Sequence, residues 1–213
     1  MKKLFKILKI LCIIVLISPL VLSWLPSSYF AGLVPQRIVD SGYFASLVSS
    51  FKELSITLAA TLLFAMLLSF ILGYISVLWM KVGRGFANIL NAVESIPAIL
   101  VALFCYAPVS GYLARHTSAA STVMSLVVFV LAATVTTLPE AVRSIAIPLI
   151  DLYNRKYSLS FRSYGFPKMR ILAILMTTDL MRSTLRRVAA GILLKTLVLD
   201  CSFGFIIQLG FGS

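Results

Sequence analysis

The stretch that most limits what this chain can fold into is residues 54–80, LSITLAATLLFAMLLSFILGYISVLWM, which carries no charged side chain. About 20 consecutive apolar residues cross a bilayer as an α-helix. In lipid there is no water to satisfy the backbone, so a chain spans only as helices or as a closed barrel. Four more apolar runs follow the same logic, at residues 10–25, 87–109, 122–148 and 188–207. With 60% hydrophobic and 12% charged residues, the chain reads as an all-α integral membrane protein with about five transmembrane helices.

The net charge of +12 would suggest nucleic-acid binding in a soluble chain. Here the bases cluster in loops, and no nucleic-acid partner is expected. Lys2, Lys3, Lys6 and Lys9 precede the first run, Lys81 and Arg84 follow the second, and a basic series runs from Arg143 to Arg187. Only Arg37, Lys52 and Arg115 fall on the other side. That asymmetry puts the N-terminus in the cytoplasm. A cleaved signal peptide competes with this reading, but SWLPSSYFAG offers bulky residues where a cleavage site needs small ones. Residues 1–26 are therefore expected as a retained membrane helix, kinked and ended by Pro19 and Pro26. Residues 27–53 are expected as an external loop, and 54–213 as the core. Residues 81–85, KVGRG, read as a tight cytoplasmic turn. Residues 110–121, which include Arg115 and His116, read as a short external loop.

Polar groups inside the apolar runs are the first candidates for function. Glu94, Ser95 and Pro97 lie in NAVESIPAILVALF, where the proline breaks the helical ladder. A carboxylate in the membrane costs about 2.5–3.5 kcal/mol on insertion scales, so it faces a partner or a water-filled path. The equal alternative is that Glu94 sits at the cytoplasmic interface. Glu140 and Arg143 are spaced to pair on one helix face. Lys195 and Asp200 are five apart, a poor spacing for such a pair, so each is expected to meet another helix or a headgroup. Glu94, Ser95, Pro97 and Asp200 are the candidates for lining a path. Cys12, Cys105 and Cys201 lie in apolar runs without metal-ligand spacing and read as buried hydrophobes. A single histidine, His116, excludes a multi-histidine metal site, and no cofactor is expected in this chain.

The one long basic interruption is residues 155–170, RKYSLSFRSYGFPKMR. It reads as a short helix that stops at Gly165 in the left-handed conformation and restarts after Pro167. Tyr157, Phe161 and Tyr164 recur at i, i+4, i+7 and form one aromatic face. Such a knob suits a groove on a partner, and a basic loop lying on anionic lipid explains the pattern equally well.

These segments together resemble the permease subunits of binding-protein-dependent ABC importers, of the dipeptide, oligopeptide and nickel type, specifically the second of the two permease chains. The likeness rests on SPLVLSWLP, LSITLAATLLFAMLLSFILGY, the Ser-Ile-Pro of NAVESIPAILVALF, LPEAVRS and CSFGF, and covers nearly the whole chain. YSLSFRSYGFPKMRI falls on the family's cytoplasmic coupling motif, with Tyr157, Arg162, Gly165, Arg170 and Ile171 matching. Leu159, Ser160 and Phe161 stand where the family has Glu-Ala-Ala. The family continues past CSFGF through one more helix, so this chain, ending at Ser213, is expected to need a partner chain all the more.

The resemblance implies a type I importer fold in a bacterial cytoplasmic (inner) membrane. It implies half of a translocation path for a small solute such as a peptide, nickel or a metal chelate. Partners would be ATP-binding cassette ATPase subunits, a second permease subunit in a heterodimer, an extracytoplasmic solute-binding protein and membrane lipid. ATP and Mg would sit on the ATPase, and this chain would not itself be an enzyme; Gly83 to Gly85 lacks a phosphate-loop ending. Tyr157, Leu159, Phe161, Arg162, Tyr164 and Gly165 would form the ATPase-coupling site in the region 155–170, between helices at about 54–80, 87–109, 122–148 and 188–207. The altered coupling motif leaves a non-transport membrane scaffold or assembly subunit as the alternative.

Overall fold

Long uninterrupted helices dominate because little in the sequence stops them. In the computed structural model, which describes residues 14, 17–25, 42–115 and 119–211, the described residues form helices and turns without strands. The chain divides into two units, Met1–Thr57 and Leu58–Ser213. In the first, a short helical stretch ends in a turn. The buried Ser23 donates to the Leu20 carbonyl at 2.7 Å, and the Trp24 indole N–H reaches the Ser55 hydroxyl at 2.9 Å. Most of the expected first span, with Cys12, and the segment 26–41 lie outside the described residues.

Helix α1 is Tyr43–Leu78. It starts inside the stretch expected as an external loop. Residues 43–72 hold no Gly or Pro, and the polar serines do not compete with the helix. Ser46 and Ser50 return their hydroxyls to the carbonyls of Gly42 and Ser46. The expected turn at 81–85 is also helical. The break falls at Trp79, whose φ of −118° and ψ of 90° leave the helical region, and α2 follows at once as Met80–Glu94. Gly83 is needed there, since a Cβ would meet the Ser76 carbonyl oxygen at 2.5 Å.

The expected third run is two helices. Helix α2 ends at Ser95 and α3 is Ala98–Arg115, with Pro97 at the break and Pro108 inside α3. The bend between Gly85–Glu94 and Ala98–Pro108 is 90°. The loop expected at 110–121 shrinks, because α3 runs to Arg115 and α4, Ala119–Asn154, begins soon after. His116 lies outside the described residues.

Helix α4 is the spine of the second unit. It runs through Pro139 and Pro148 without ending. One core joins Ala65 and Val77 of α1, Ile145, Leu149 and Leu152 of α4, and the segments beyond it. A second joins Ala102 of α3, Phe129 and Ala133 of α4, and Leu199 further on. After α4 come two short helices, α5 (Lys156–Ser163) and α6 (Lys168–Met176), and then α7 (Asp179–Phe211). Helix α7 begins well before residue 188, because Asp179 in its first turn complements the helix dipole.

Among the described residues, Tyr43–Leu78 and Val123–Asn154 are long and apolar enough to cross a membrane, and the bent pair of α2 and α3 would make a third span. The described residues thus form an all-helical protein, with two or three helices among them that fit a bilayer.

Candidate functional site

The basic stretch folds as a helix–turn–helix whose turn is set by one glycine. Gly165 adopts φ +77°. Its N–H donates to the Arg162 carbonyl at 3.0 Å and that of Phe166 to the Phe161 carbonyl at 3.1 Å. This is the Schellman arrangement, which brings the residue after the glycine over the last helical turn. The contact is aromatic: Phe161 and Phe166 meet edge to face with centroids 5.9 Å apart. Pro167 then caps the start of α6.

That turn decides which side of α5 faces inward. Ser158 is buried, and Phe161 packs on the core beside it. Tyr157, Leu159 and Tyr164 are exposed, Tyr164 most of all at 80%. The aromatic stripe therefore straddles the edge of the buried face. Its two tyrosines remain outside, and Phe161 is held within by its partner Phe166.

Two basic side chains of the stretch turn back onto helix ends. The Arg162 guanidinium donates to the Tyr153 carbonyl at 2.7 Å and lies 3.7 Å from the centroid of the Tyr153 ring. It thereby caps the C-terminus of α4. The Lys168 ammonium donates to the carbonyls of Val77 and Leu78 at 2.6 and 2.9 Å, capping the C-terminus of α1. Both place a cation where the helix dipole is negative. Burial, and then the nearby Arg162 charge, lower the Lys168 pKa below the ordinary lysine range. The Tyr74 hydroxyl adds a bond to the Met169 carbonyl at 2.9 Å. Composition gave no sign of these roles for Lys168, Tyr153 and Tyr74. The only local signal was a lysine just after Pro167, at the start of a helix, where its charge opposes its own helix dipole and gains from another's.

The acids and bases of the apolar helices pair across helices, and not along α4 as their spacing suggested. Arg143 donates to Glu94 and to the Asn91 side-chain carbonyl, each at 2.6 Å. Glu140 pairs with Lys195 of α7. The two cross-helix partners, Glu94 of α2 and Lys195 of α7, lie on different neighbours of α4. Glu94, Ser95 and Pro97 lie together at the bend, with the Ser95 hydroxyl returned to the Ala92 carbonyl at 2.7 Å. Asp200 is half-buried on α7, and no ion pair joins it to them among the described residues. Cys105 is partly buried and Cys201 is exposed, against the expectation that both are core. Among the described residues no group of three His, Cys, Asp or Glu is placed to hold a metal.

Compared with known proteins, the chain matches no family model, no curated protein and no solved structure.

Proposed function

We propose that this chain is a membrane-spanning subunit of an ATP-driven importer of the ABC type, providing half of the path for a small solute such as a peptide, nickel or a metal chelate. In this reading it crosses the bacterial cytoplasmic membrane about five times, with its N-terminus inside. It works with ATPase subunits, a second permease chain and an extracytoplasmic binding protein. ATP hydrolysis belongs to the ATPase.

The observation that supports this reading is how the α5–α6 hairpin is attached. Arg162 ties it to the end of α4 and Lys168 ties it to the end of α1, while Tyr157, Leu159 and Tyr164 remain free on its outer side. A partner that grips those side chains pulls on two long helices through charge-assisted hydrogen bonds, which are among the stronger ones available. A preference for one partner state then becomes a preference for one arrangement of the helices.

The test is purification of the tagged full chain from its own host in mild detergent, with mass spectrometry of what accompanies it. Recovery with an ATPase and a second permease supports the importer. Recovery alone, or with unrelated membrane proteins, overturns it and leaves the scaffold reading.

A further inference from the structure

Between α4 and α7 lies a cavity of about 350 Å³ whose polar wall includes Thr137, Glu140, Arg143, Ser144, Arg187 and Lys195. Its charges are unequal. Glu140 is neutralised by Lys195, and Arg143 by Glu94 outside the cavity. Arg187 is exposed and has no ion pair or hydrogen bond among the described residues. The cavity therefore presents one uncompensated guanidinium, with a second cation, Lys195, paired to a half-exposed carboxylate. The rest of the wall is apolar, including Ile147, Pro148, Val188 and Ile192.

The two cations are two helical turns apart on α7, about 12 Å at 1.5 Å per residue. Arg187 lies toward the end of α7 that carries Arg182 and Arg186, which is the basic side of the chain. Lys195 lies deeper, level with Glu140. Helical side chains lean toward the N-terminus of their helix, so the Lys195 stem leans toward Arg187. The result is a pocket with a cationic mouth, apolar walls and an ionic floor.

We propose that this cavity binds an oxyanion, with Arg187 as the primary contact and Lys195 as the second. A guanidinium presents a planar fork of donors that matches a phosphate or carboxylate in two parallel hydrogen bonds. Apolar walls around such a group favour an anion that carries a hydrocarbon part. The oxyanion has two possible sources, the phosphodiester of an acidic membrane lipid and a small anion from solution. The site stands whether or not the chain belongs to an importer.

The experiment uses the purified full chain in nanodiscs of phosphatidylcholine alone, or with phosphatidylglycerol added, and separately with inorganic phosphate titrated into the neutral discs. The readouts are the thermal unfolding midpoint and the concentration of anion giving half of its shift. Arg187→Gln is compared with Arg182→Gln, which removes the same charge from the same helix outside the cavity. A shift with phosphatidylglycerol that Arg187→Gln weakens about tenfold, and that Arg182→Gln retains, supports the site with lipid as its source. The same pattern with inorganic phosphate supports a soluble anion. If neither anion shifts the midpoint, or if both variants weaken the shift equally, the proposal is overturned. Lys195→Gln gives a second check, since it should weaken binding while Arg187 still confers part of the shift; an unchanged titration excludes Lys195 as a contact.

Discussion

Gly165 is the residue on which the α5–α6 hairpin turns. Its φ of +77° is a conformation that L side chains rarely adopt, although a Cβ there would meet open space. The cost of Gly165→Ala is therefore backbone strain alone, about 1–2 kcal/mol, and should appear as a lowered unfolding midpoint in detergent. Gly85, within α2 and likewise in open space but without positive φ, provides the contrast. Gly85→Ala should raise stability by about 0.5–1 kcal/mol, as a helix-interior glycine does when replaced. If both substitutions shift the midpoint the same way, the left-handed turn is not what orders the hairpin. Phe161 and Tyr164 separate folding from binding in the same fashion. Phe161→Asp puts a carboxylate against Phe166 and the core, and should destabilise the chain by roughly 3 kcal/mol or more. Tyr164→Asp changes an 80% exposed side chain and should leave the midpoint within about 0.5 kcal/mol, while reducing recovery of a co-purifying ATPase. Full retention of that partner by Tyr164→Asp, beside normal folding, would remove the outer face of α5 from the interface.

At the scale of elements, the hairpin is fastened by its two caps, so its bases are structural before they are anything else. Lys168→Met keeps the length of the stem but removes the cation from the end of α1. Losing the hydrogen bonds to the Val77 and Leu78 carbonyls should cost about 1 kcal/mol net, and should speed amide exchange at the α5–α6 turn. The sign of the pH effect follows from the lowered Lys168 pKa. The unfolded chain binds this proton more tightly than the folded one, so the penalty is fully present below the folded pKa. It fades as pH rises through the ordinary lysine value of 10.5. A small alkaline gain in stability that Lys168→Met abolishes is the expected result, and an unchanged slope would exclude Lys168 as its source. The glycine stop and the proline restart were legible in the sequence because each depends on one residue and its backbone. The inward turn of Phe161 was not, because it depends on Phe166 across the turn. Helix interiors were legible for the same local reason, whereas the ends of α1 and α7 were not. Ser46 and Ser50, or Asp179 and Arg182, look polar enough for a loop, yet their side chains find partners within a helix.

At the scale of the whole second unit, α4 is held to its neighbours by charges that no local pattern reveals. Glu94 and Arg143 are 49 residues apart and bond at 2.6 Å, and Glu140 meets Lys195 from another helix. In water, pairs so exposed contribute only about 0–1 kcal/mol. If lipid covers these faces, the alternative to pairing is a lone charge in hydrocarbon, and the weight of each pair rises. Glu140→Gln alone leaves the Lys195 ammonium unmatched and should cost about 2.5–3.5 kcal/mol in a bilayer. Glu140→Gln with Lys195→Gln removes both charges and should cost less than either single change, since no charge is then left unpaired. Measured in nanodiscs and again in detergent, the coupling between the two substitutions should shrink where water reaches the pair. Equal coupling in both media would mean that this side of α4 never faces lipid, and would place it against another chain or a wet passage instead.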